Sequence, residues 1–225
     1  MKKKFLIDTH MHTAEISSCG RIPAAELALR CRSHGYDSIV ITDHLNQEFL
    51  SRLPFNDDWD KIIDHFLSGY KTAKKQGEEI GLNVLLGAEI QFTINENDYL
   101  IYGIDEDFLR SNPFLHLLSP WEFFDKFGNE ILIIQAHPFR DGNETVFPEC
   151  IHGVEVYNGN PRHNNYDHKA LDLCAANPQF YRLHGSDIHC DGDFGRAWML
   201  FDEEIPDSHS FHAAIKQNEY SMGHP

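Results

Sequence analysis

Long apolar runs, paired cysteines and positive charge are what this 225-residue sequence is short of. No stretch of it approaches the roughly 20 apolar residues that a membrane-spanning helix needs. Behind Lys2-Lys3-Lys4 the apolar run Phe5-Leu6-Ile7 is too short for the hydrophobic region of a secretory signal. The five cysteines, Cys19, Cys31, Cys150, Cys174 and Cys190, are odd in number, scattered, and form no C-x-x-C pair. That pattern argues against a disulfide framework and predicts a reduced, cytoplasmic protein. Lys and Arg total 19 against 35 Asp and Glu, a formal net charge of −16. Nucleic acid and anionic membranes need a basic footprint, so neither is expected as a partner. The same charge would repel a phosphate substrate unless bound cations stood in the site. Linkers and internal repeats are also missing, which predicts one domain over residues 1–225.

What the chain does have is a regular alternation of strand-like and helix-like segments. Phe5-Leu6-Ile7 reads as a strand ending at Asp8. Between Pro23 and His34, Ala24, Leu27, Ala28 and Cys31 share one helical face, with Gly35 as the stop. Ser38-Ile39-Val40-Ile41-Thr42 is nearly continuous and β-branched, as in a strand buried on both faces. Trp59, Ile62, Ile63, Phe66, Leu67, Tyr70 and Ala73 recur at helical spacing up to Gly77. Further strands are expected from Val84 to Glu89 and at residues 99–102, 131–134, 154–157, 181–183 and 197–201. Further helices are expected at 114–127, 165–176 and 210–217. Alternating elements imply βα units around a parallel sheet, an α/β barrel whose working residues stand at the C-terminal ends of the strands.

Fifteen histidines are a surplus, and their positions give it meaning. His10-Met11-His12 follows the first strand, Asp43-His44 the second and Glu89 the third. Gln135-Ala136-His137 closes the strand at 131–134, and Gly185-Ser186-Asp187-Ile188-His189 comes late in the chain. In an extended H-x-H segment alternate side chains face the same way, so His10 and His12 can share an ion. Imidazoles suit Zn²⁺, Mn²⁺ or Fe²⁺, and a carboxylate such as Glu89 can bridge two ions. Two ions about 3.5–4 Å apart can hold a hydroxide and clamp a phosphoryl group for in-line displacement. Asp43 is read as a structural residue beside His44 rather than a ligand. His34, His65, His116, His152, His168, His184, His209, His212 and His224 have no such placement and are read as surface or supporting residues.

The ordered set of segments resembles the PHP superfamily, named for its polymerase and histidinol phosphatase members. The matching stretches are Asp8-Thr9-His10-Met11-His12-Thr13, Ile41-Thr42-Asp43-His44, Gly87-Ala88-Glu89-Ile90, Ala136-His137-Pro138-Phe139, Glu155-Val156-Tyr157-Asn158-Gly159 and Gly185-Ser186-Asp187-Ile188-His189. The resemblance implies a distorted (β/α)₇ barrel, similar to a TIM barrel, holding two or three divalent ions of Zn, Mn or Fe. It implies His10, His12, His44, Glu89, His137, Asp187 and His189 as ligands. It also implies hydrolysis of phosphomonoesters or phosphodiesters by a metal-bound hydroxide, with no side-chain nucleophile. Two positions depart from the family pattern. Cys19, in Ser17-Ser18-Cys19-Gly20, stands where members often carry Asp, and Asp98 stands where many carry His. Either can ligate, Cys19 as a thiolate and Asp98 through oxygen.

For the substrate, Arg140 follows His137-Pro138-Phe139 and can grip a phosphate in a bidentate way. Arg162 and His163 are expected on a rim loop above the metals. The leading expectation is a metal-dependent phosphoesterase acting on a small phosphorylated metabolite or nucleotide. The alternatives are an amidohydrolase, which also opens with H-x-H on a barrel strand, and a metal-holding interaction module without catalysis. The sequence leaves substrate, metal identity and oligomeric state open.

Overall fold

A computed structural model of the chain describes residues 3–55, 58–143 and 146–225. Its strands are β1 (Phe5–Asp8), β2 (Ser38–Ile41), β3 (His44–Leu45), β4 (Asn83–Leu86), β5 (Ala88–Gln91) and β6 (Asp98–Tyr102). They continue with β7 (Leu132–Gln135), β8 (Gly153–Asn158), β9 (Tyr181–Gly185), β10 (Trp198–Phe201) and β11 (Tyr220–Gly223). The helices are α1 (Ala24–Ser33), α2 (Gln47–Ser51), α3 (Trp59–Ile80), α4 (Glu106–Ser111), α5 (Pro120–Phe127), α6 (Asp167–Ala176) and α7 (Ser208–Gln217). None of the described helices is long and apolar enough to cross a membrane.

The strands form a mixed α/β arrangement of two sheets, ordered β11-β10-β1-β2-β4 and β3-β5-β6-β7-β8-β9. No closed sheet forms among the described residues, and the strands are not all parallel, so the expectation of a parallel barrel is met only in part. β6 runs antiparallel to both β5 and β7. The connection from β5 to β6 spans residues 92–97, too short for the dozen or so residues of a parallel crossover, so the chain must turn back. β10 and β11 are also antiparallel to their neighbours.

The expected strand from Val84 to Glu89 breaks at Gly87, and the β2 strand breaks at Thr42-Asp43. The two breaks lie side by side. β2 pairs with β4 before them and β3 with β5 after them, and main-chain bonds from Gly87 N to Ile41 O (2.9 Å) and Glu89 N to Asp43 O (3.0 Å) bridge the gap. The extension of β1 is stitched to that of β9 by a parallel bridge between Met11 and Ile188. These contacts gather the ends of β1, β2 and β9 and the start of β5 around one centre.

The helices refine the sequence reading. α3 runs through Gly77 to Ile80 and is ended by Gly81, whose φ of 70° is the left-handed conformation that glycine adopts freely. Gly77 marks a close approach instead, since a Cβ there would lie 2.5 Å from the Leu82 carbonyl oxygen. The expected helix at 114–127 is split into a 3₁₀ turn at Leu115–Leu117 and α5, because Ser119-Pro120 starts a new helix with a capping box between Ser119 and Glu122. α6 starts at Asp167 rather than at 165, because the Asn165 side chain bonds Asn158 instead. The short α2 and α4 and the strand β11 carry too little periodicity to be read from sequence.

Packing leaves the polar centre walled by apolar residues. Ile16, Phe49, Ile63, Phe66, Leu67, Ile90, Phe92, Tyr99 and Phe123 form part of the largest buried cluster, beneath α3 and α5. Met11, Ile22, Leu27, Ile39 and Ile188 pack under α1.

Candidate metal centre

β1 delivers the first two side chains. Beyond Asp8 the chain stays extended, so Met11 turns into the apolar cluster under α1 while His10 and His12 turn together to the other side. Both imidazoles are fully buried and their Nε2 atoms lie 3.2 Å apart. β3 and β5 are paired with His44 directly opposite Glu89. Asp98 comes to the same edge because β6 runs the other way, so its first residue, not its last, faces the centre. His137 follows β7, and Asp187 and His189 follow β9.

Glu89 is the hub. Its Oε2 lies 3.3 Å from His10 Nε2, 3.2 Å from His12 Nε2 and 3.1 Å from His44 Nδ1. Its Oε1 lies 3.2 Å from His137 Nε2. Asp187 Oδ1 faces the same group, at 3.5 Å from His10 Nε2 and 3.3 Å from both His12 Nε2 and His189 Nδ1. Asp98 Oδ2 is 3.9 Å from His137 Nε2. Cys19, His12, His44 and His189 have ligand atoms that all lie within 4.8 Å of one another. The structure thus brings together every residue expected to ligate, the two departures Cys19 and Asp98 included. His137 and Asp187 both adopt positive φ, 29° and 54°. Such strained backbone is uncommon outside glycine and concentrates where a side chain must be aimed.

Three supports went unassigned or only partly assigned in the sequence. Glu155 in β8 is buried and accepts from His10 Nδ1 at 2.8 Å, and its other oxygen accepts from His137 N at 2.9 Å. A carboxylate on one ring nitrogen fixes the tautomer and turns the other nitrogen to the metal. Ser17 Oγ lies 3.2 Å from His12 Nδ1 and donates to Asp43 Oδ1 at 2.7 Å. Asp43 also accepts from Thr13 N and Thr13 Oγ1, both at 2.7 Å, so it braces the loop after β1 as expected. The Glu155-Val156-Tyr157-Asn158-Gly159 stretch was the available signal for Glu155. Nothing local singled out Ser17.

Charge is balanced by neighbours. Burial works against ionisation of Glu89, yet His10 and His44 hold its carboxyl well below the usual range. Asp187 is likewise buried and held well below by His10, His12 and Arg140. Burial opposes the charge on His12, but Asp187 and Glu89 hold it up to about 9, and Glu155, Glu89 and Asp187 hold His10 well above the imidazole range. Burial depresses His44 to about 3 and His189 to about 4, leaving both rings neutral as metal ligation requires. Burial and then the Glu89 charge raise Asp98 well above its ordinary value. Burial, Glu89 and Asp187 push the Cys19 thiol up to about 12.

The residues fit divalent ions. Glu89 Oε2, His44 Nδ1 and His137 Nδ1 are buried without a hydrogen-bond partner, although polar atoms left unpaired in a protein interior cost free energy. Imidazoles and carboxylates converge on one point, and separate donor sets are discernible: His10, His12 and Glu89 in the interior, and His44, Glu89 and Asp98 beside it.

Arg140 stands over this group. Its Nη2 donates to Asp187 Oδ2 at 2.7 Å and Asn158 Oδ1 at 3.0 Å, and its Nε to Asn165 Oδ1 at 2.9 Å. Asn160 Nδ2 also donates to Asp187 Oδ2, at 3.2 Å. Arg162 is engaged elsewhere. Its fork closes on Asp193, at 2.6 and 2.9 Å, and so ties the loop after β8 to the loop after β9. His163 is exposed, and partial burial and then the charge of Arg140 lower its pKa.

Comparison with known proteins agrees with this geometry. No curated protein matches the chain. Among solved structures, a two-domain protein from Bacteroides vulgatus, described as containing a predicted PHP-like metal-dependent phosphoesterase, is 16% identical with a TM-score of 0.67. The match covers 99% of this chain but 65% of that one, so the chain spans just under two thirds of that relative's length. A provisionally named metal-dependent phosphoesterase from Bifidobacterium adolescentis is 17% identical with a TM-score of 0.56, over 93% of this chain and 95% of its own. An amidohydrolase from Chromobacterium violaceum with bound sulfate is 16% identical with a TM-score of 0.52, over 96% and 97%. At these identities the likeness is one of fold. The PHP domain pattern itself matches residues 8–219, almost the whole chain, and the protein therefore belongs to the PHP-domain family.

Proposed function

We propose that the protein is a metal-dependent phosphoesterase that hydrolyses a small phosphorylated metabolite or nucleotide, in one distorted barrel-like domain with a centre for two or three divalent ions of Zn, Mn or Fe. The observation that carries this reading is the position of Glu89, one carboxylate among four imidazoles, with Asp187 opposite and Arg140 fixed above. Ions held by His10, His12, His44, Glu89, Asp98, His137, Asp187 and His189 would supply activation of water at neutral pH and positive charge for phosphoryl oxygens.

The chain's own residues do the rest. Glu155 and the Ser17–Asp43 pair hold His10 and His12 in one orientation, so no binding energy is spent on ordering them. Asp187, Asn158 and Asn165 pin Arg140, Asn160 donates to the same Asp187 oxygen, and no hydrogen bond of Arg140 Nη1 is seen among the described residues. That free edge suits a phosphate oxygen, as a planar guanidinium does. In this reading the exposed His163 would contact the rest of the substrate, whereas Arg162, closed on Asp193, keeps its loop in place.

The test is hydrolysis of p-nitrophenyl phosphate, bis-p-nitrophenyl phosphate and a p-nitroanilide amide with Mn²⁺ or Zn²⁺ added, on wild type and Asp187→Ala. Phosphate-ester turnover that the variant loses supports the proposal. Turnover of the amide alone moves the assignment to an amidohydrolase, and metal binding without any turnover moves it to a non-catalytic module.

A further inference from the structure

Beyond His44 and Glu89 the paired strands β3 and β5 run on to a second feature. After His44 the chain passes through Leu45 and Asn46 into α2, and after Glu89 it reaches Thr93, whose N–H bonds the His116 carbonyl at 3.0 Å. Gln47 of α2 and His116 of the 3₁₀ turn thereby meet, with His116 Nε2 3.3 Å from Gln47 Oε1. Both line a cavity of about 260 Å³ that is walled by Leu50, Ile62, Phe114 and Leu117. Gln47 is three residues beyond His44, so their Cα atoms are at most about 11 Å apart. The cavity therefore stands beside the candidate metal centre and shares no residue with it.

Its walls are apolar and partly open to solvent. Among the described residues, Phe114 and Leu117 are two of the five large hydrophobic side chains left exposed, at 37% and 57%, and a third, Ile94, follows Thr93. No lining residue carries a charge, in a chain with a net charge of −16, and burial lowers the pKa of His116 so that its ring stays neutral. Gln47 Oε1 can only accept, so the single proton of that ring is on Nε2, and Nδ1 is left buried without a partner. The same bond fixes the Gln47 amide, whose nitrogen keeps both N–H groups without a partner among the described residues. Phe114 adopts a φ of 56°, a left-handed conformation uncommon for a bulky residue. Its ring is held between Trp59 and His116, with centroids at 4.9 and 6.5 Å.

We infer that this cavity is the subsite for one end of the substrate, and that this end is a flat, uncharged nitrogen heterocycle of nucleobase size. The apolar walls and the Phe114 ring take the faces of the heterocycle, and the Gln47 amide donates to a ring nitrogen or carbonyl oxygen. A few fixed polar groups in an apolar pocket are what orient a small ligand. The volume falls below the roughly 300–1,000 Å³ of a pocket for a whole drug-sized molecule, so the cavity holds one ring system while the phosphate lies at the metals and Arg140. A lining without charge offers no partner to a carboxylate, an ammonium or a second phosphate, which cannot lose their water there without cost. The inference narrows the substrate of the proposed phosphoesterase and rests on that reading for the phosphate end, but not for the ring end.

The test uses the full chain loaded with Mn²⁺. Titration calorimetry reads the binding of adenosine and uridine, which carry a bicyclic and a monocyclic ring and no phosphate. Steady-state hydrolysis compares their 5′-monophosphates with ribose 5-phosphate, which lacks the ring. Wild type is expected to bind at least one nucleoside and to favour its monophosphate over ribose 5-phosphate by about tenfold or more in kcat/KM. Gln47→Ala is expected to weaken nucleoside binding about 3–10-fold, the worth of one hydrogen bond. Leu117→Asp puts a carboxylate at an exposed position of the uncharged wall and is expected to abolish both the binding and the preference. Leu171→Asp, at an exposed leucine on α6, is the control and is expected to keep both. Failure to bind either nucleoside, or binding that Gln47→Ala and Leu117→Asp leave unchanged, overturns the inference. So does equal turnover of esters with and without the ring, which leaves the phosphoesterase reading standing. Nucleoside binding that the two variants weaken, without turnover of any ester, supports the subsite and removes the phosphoesterase reading.

Discussion

Glu155 accepts a hydrogen bond of 2.8 Å from Nδ1 of His10, a residue 145 positions earlier in the chain, and both side chains are fully buried. The bond fixes the proton on Nδ1, so Nε2 of His10 is left facing Glu89 and Asp187. The same carboxylate holds the backbone of His137. Glu155→Ala is expected to weaken metal binding about 10–100-fold without emptying the site, because every candidate ligand remains. Titration calorimetry with Zn²⁺ or Mn²⁺ checks this, and unchanged affinity would deny Glu155 its orienting role.

Gly185 leaves room for that pair. A Cβ at this position would lie 2.3 Å from Glu155 Oε1 and 2.5 Å from His10 Cβ. Gly185→Ala is expected to cost about 1–3 kcal/mol, as other insertions into packed interiors do, and to lower metal affinity as well. Gly192→Ala, which meets nothing within 4 Å, serves as the control and should stay within about 0.5 kcal/mol of wild type. Thermal melts of the two variants decide the matter.

Without metal, the centre should show a pH dependence of stability with a definite sign. Burial opposes the charge on His12, but Asp187 and Glu89 hold it at about 9 in the folded chain against 6.5 as the ordinary value. A group whose folded pKa is raised stabilises fully below the ordinary value and loses that contribution as pH rises through the folded one. The chelated protein is therefore expected to lose melting temperature between pH 6.5 and 9. Glu89 and Asp187, held low, contribute above the ordinary carboxylate range and lose their contribution as pH falls. Divalent ions replace the protons on the imidazoles, so the loaded protein should lack the alkaline decline. A flat or rising melting temperature in the chelated protein over that window would refute the proposed charge arrangement.

Much of this site could be read from strand ends alone. His10, His12, His44, Glu89, His137, Asp187 and His189 announce themselves because each stands at or just beyond the end of a segment that reads as a strand. Asp98 was readable as a departure, but its approach depends on the reversal of β6, which a six-residue connection dictates. Glu155 and Ser17 act through bonds to His10 and His12, and tertiary pairing over such a separation has no local periodicity. Arg162 has a partner that the sequence does not announce. Its place after Asn158-Gly159-Asn160 suggested substrate contact, whereas its bidentate bond to Asp193 comes from a loop that the sequence does not link to it.

The proposed function therefore assigns the two arginines different roles. Arg140→Lys keeps the charge but loses the planar fork, and its KM for a phosphate ester is expected to rise about tenfold or more, the worth of one charge-assisted hydrogen bond. Arg162→Ala is expected to leave KM nearly unchanged and to lower the melting temperature slightly. Steady-state kinetics on both variants, with the same metal, tests the assignment; equal KM effects would mean that both residues face the substrate.

The most direct test of the central claim is the metal content of the purified protein by inductively coupled plasma mass spectrometry, after equilibration with micromolar Zn²⁺ or Mn²⁺ and removal of free ions. The account predicts two or three divalent ions per chain in wild type and loss of most of them in Glu89→Ala, since that carboxylate touches four imidazoles at once. A wild-type chain that retains no metal, or a Glu89→Ala variant that retains the full complement, would contradict it.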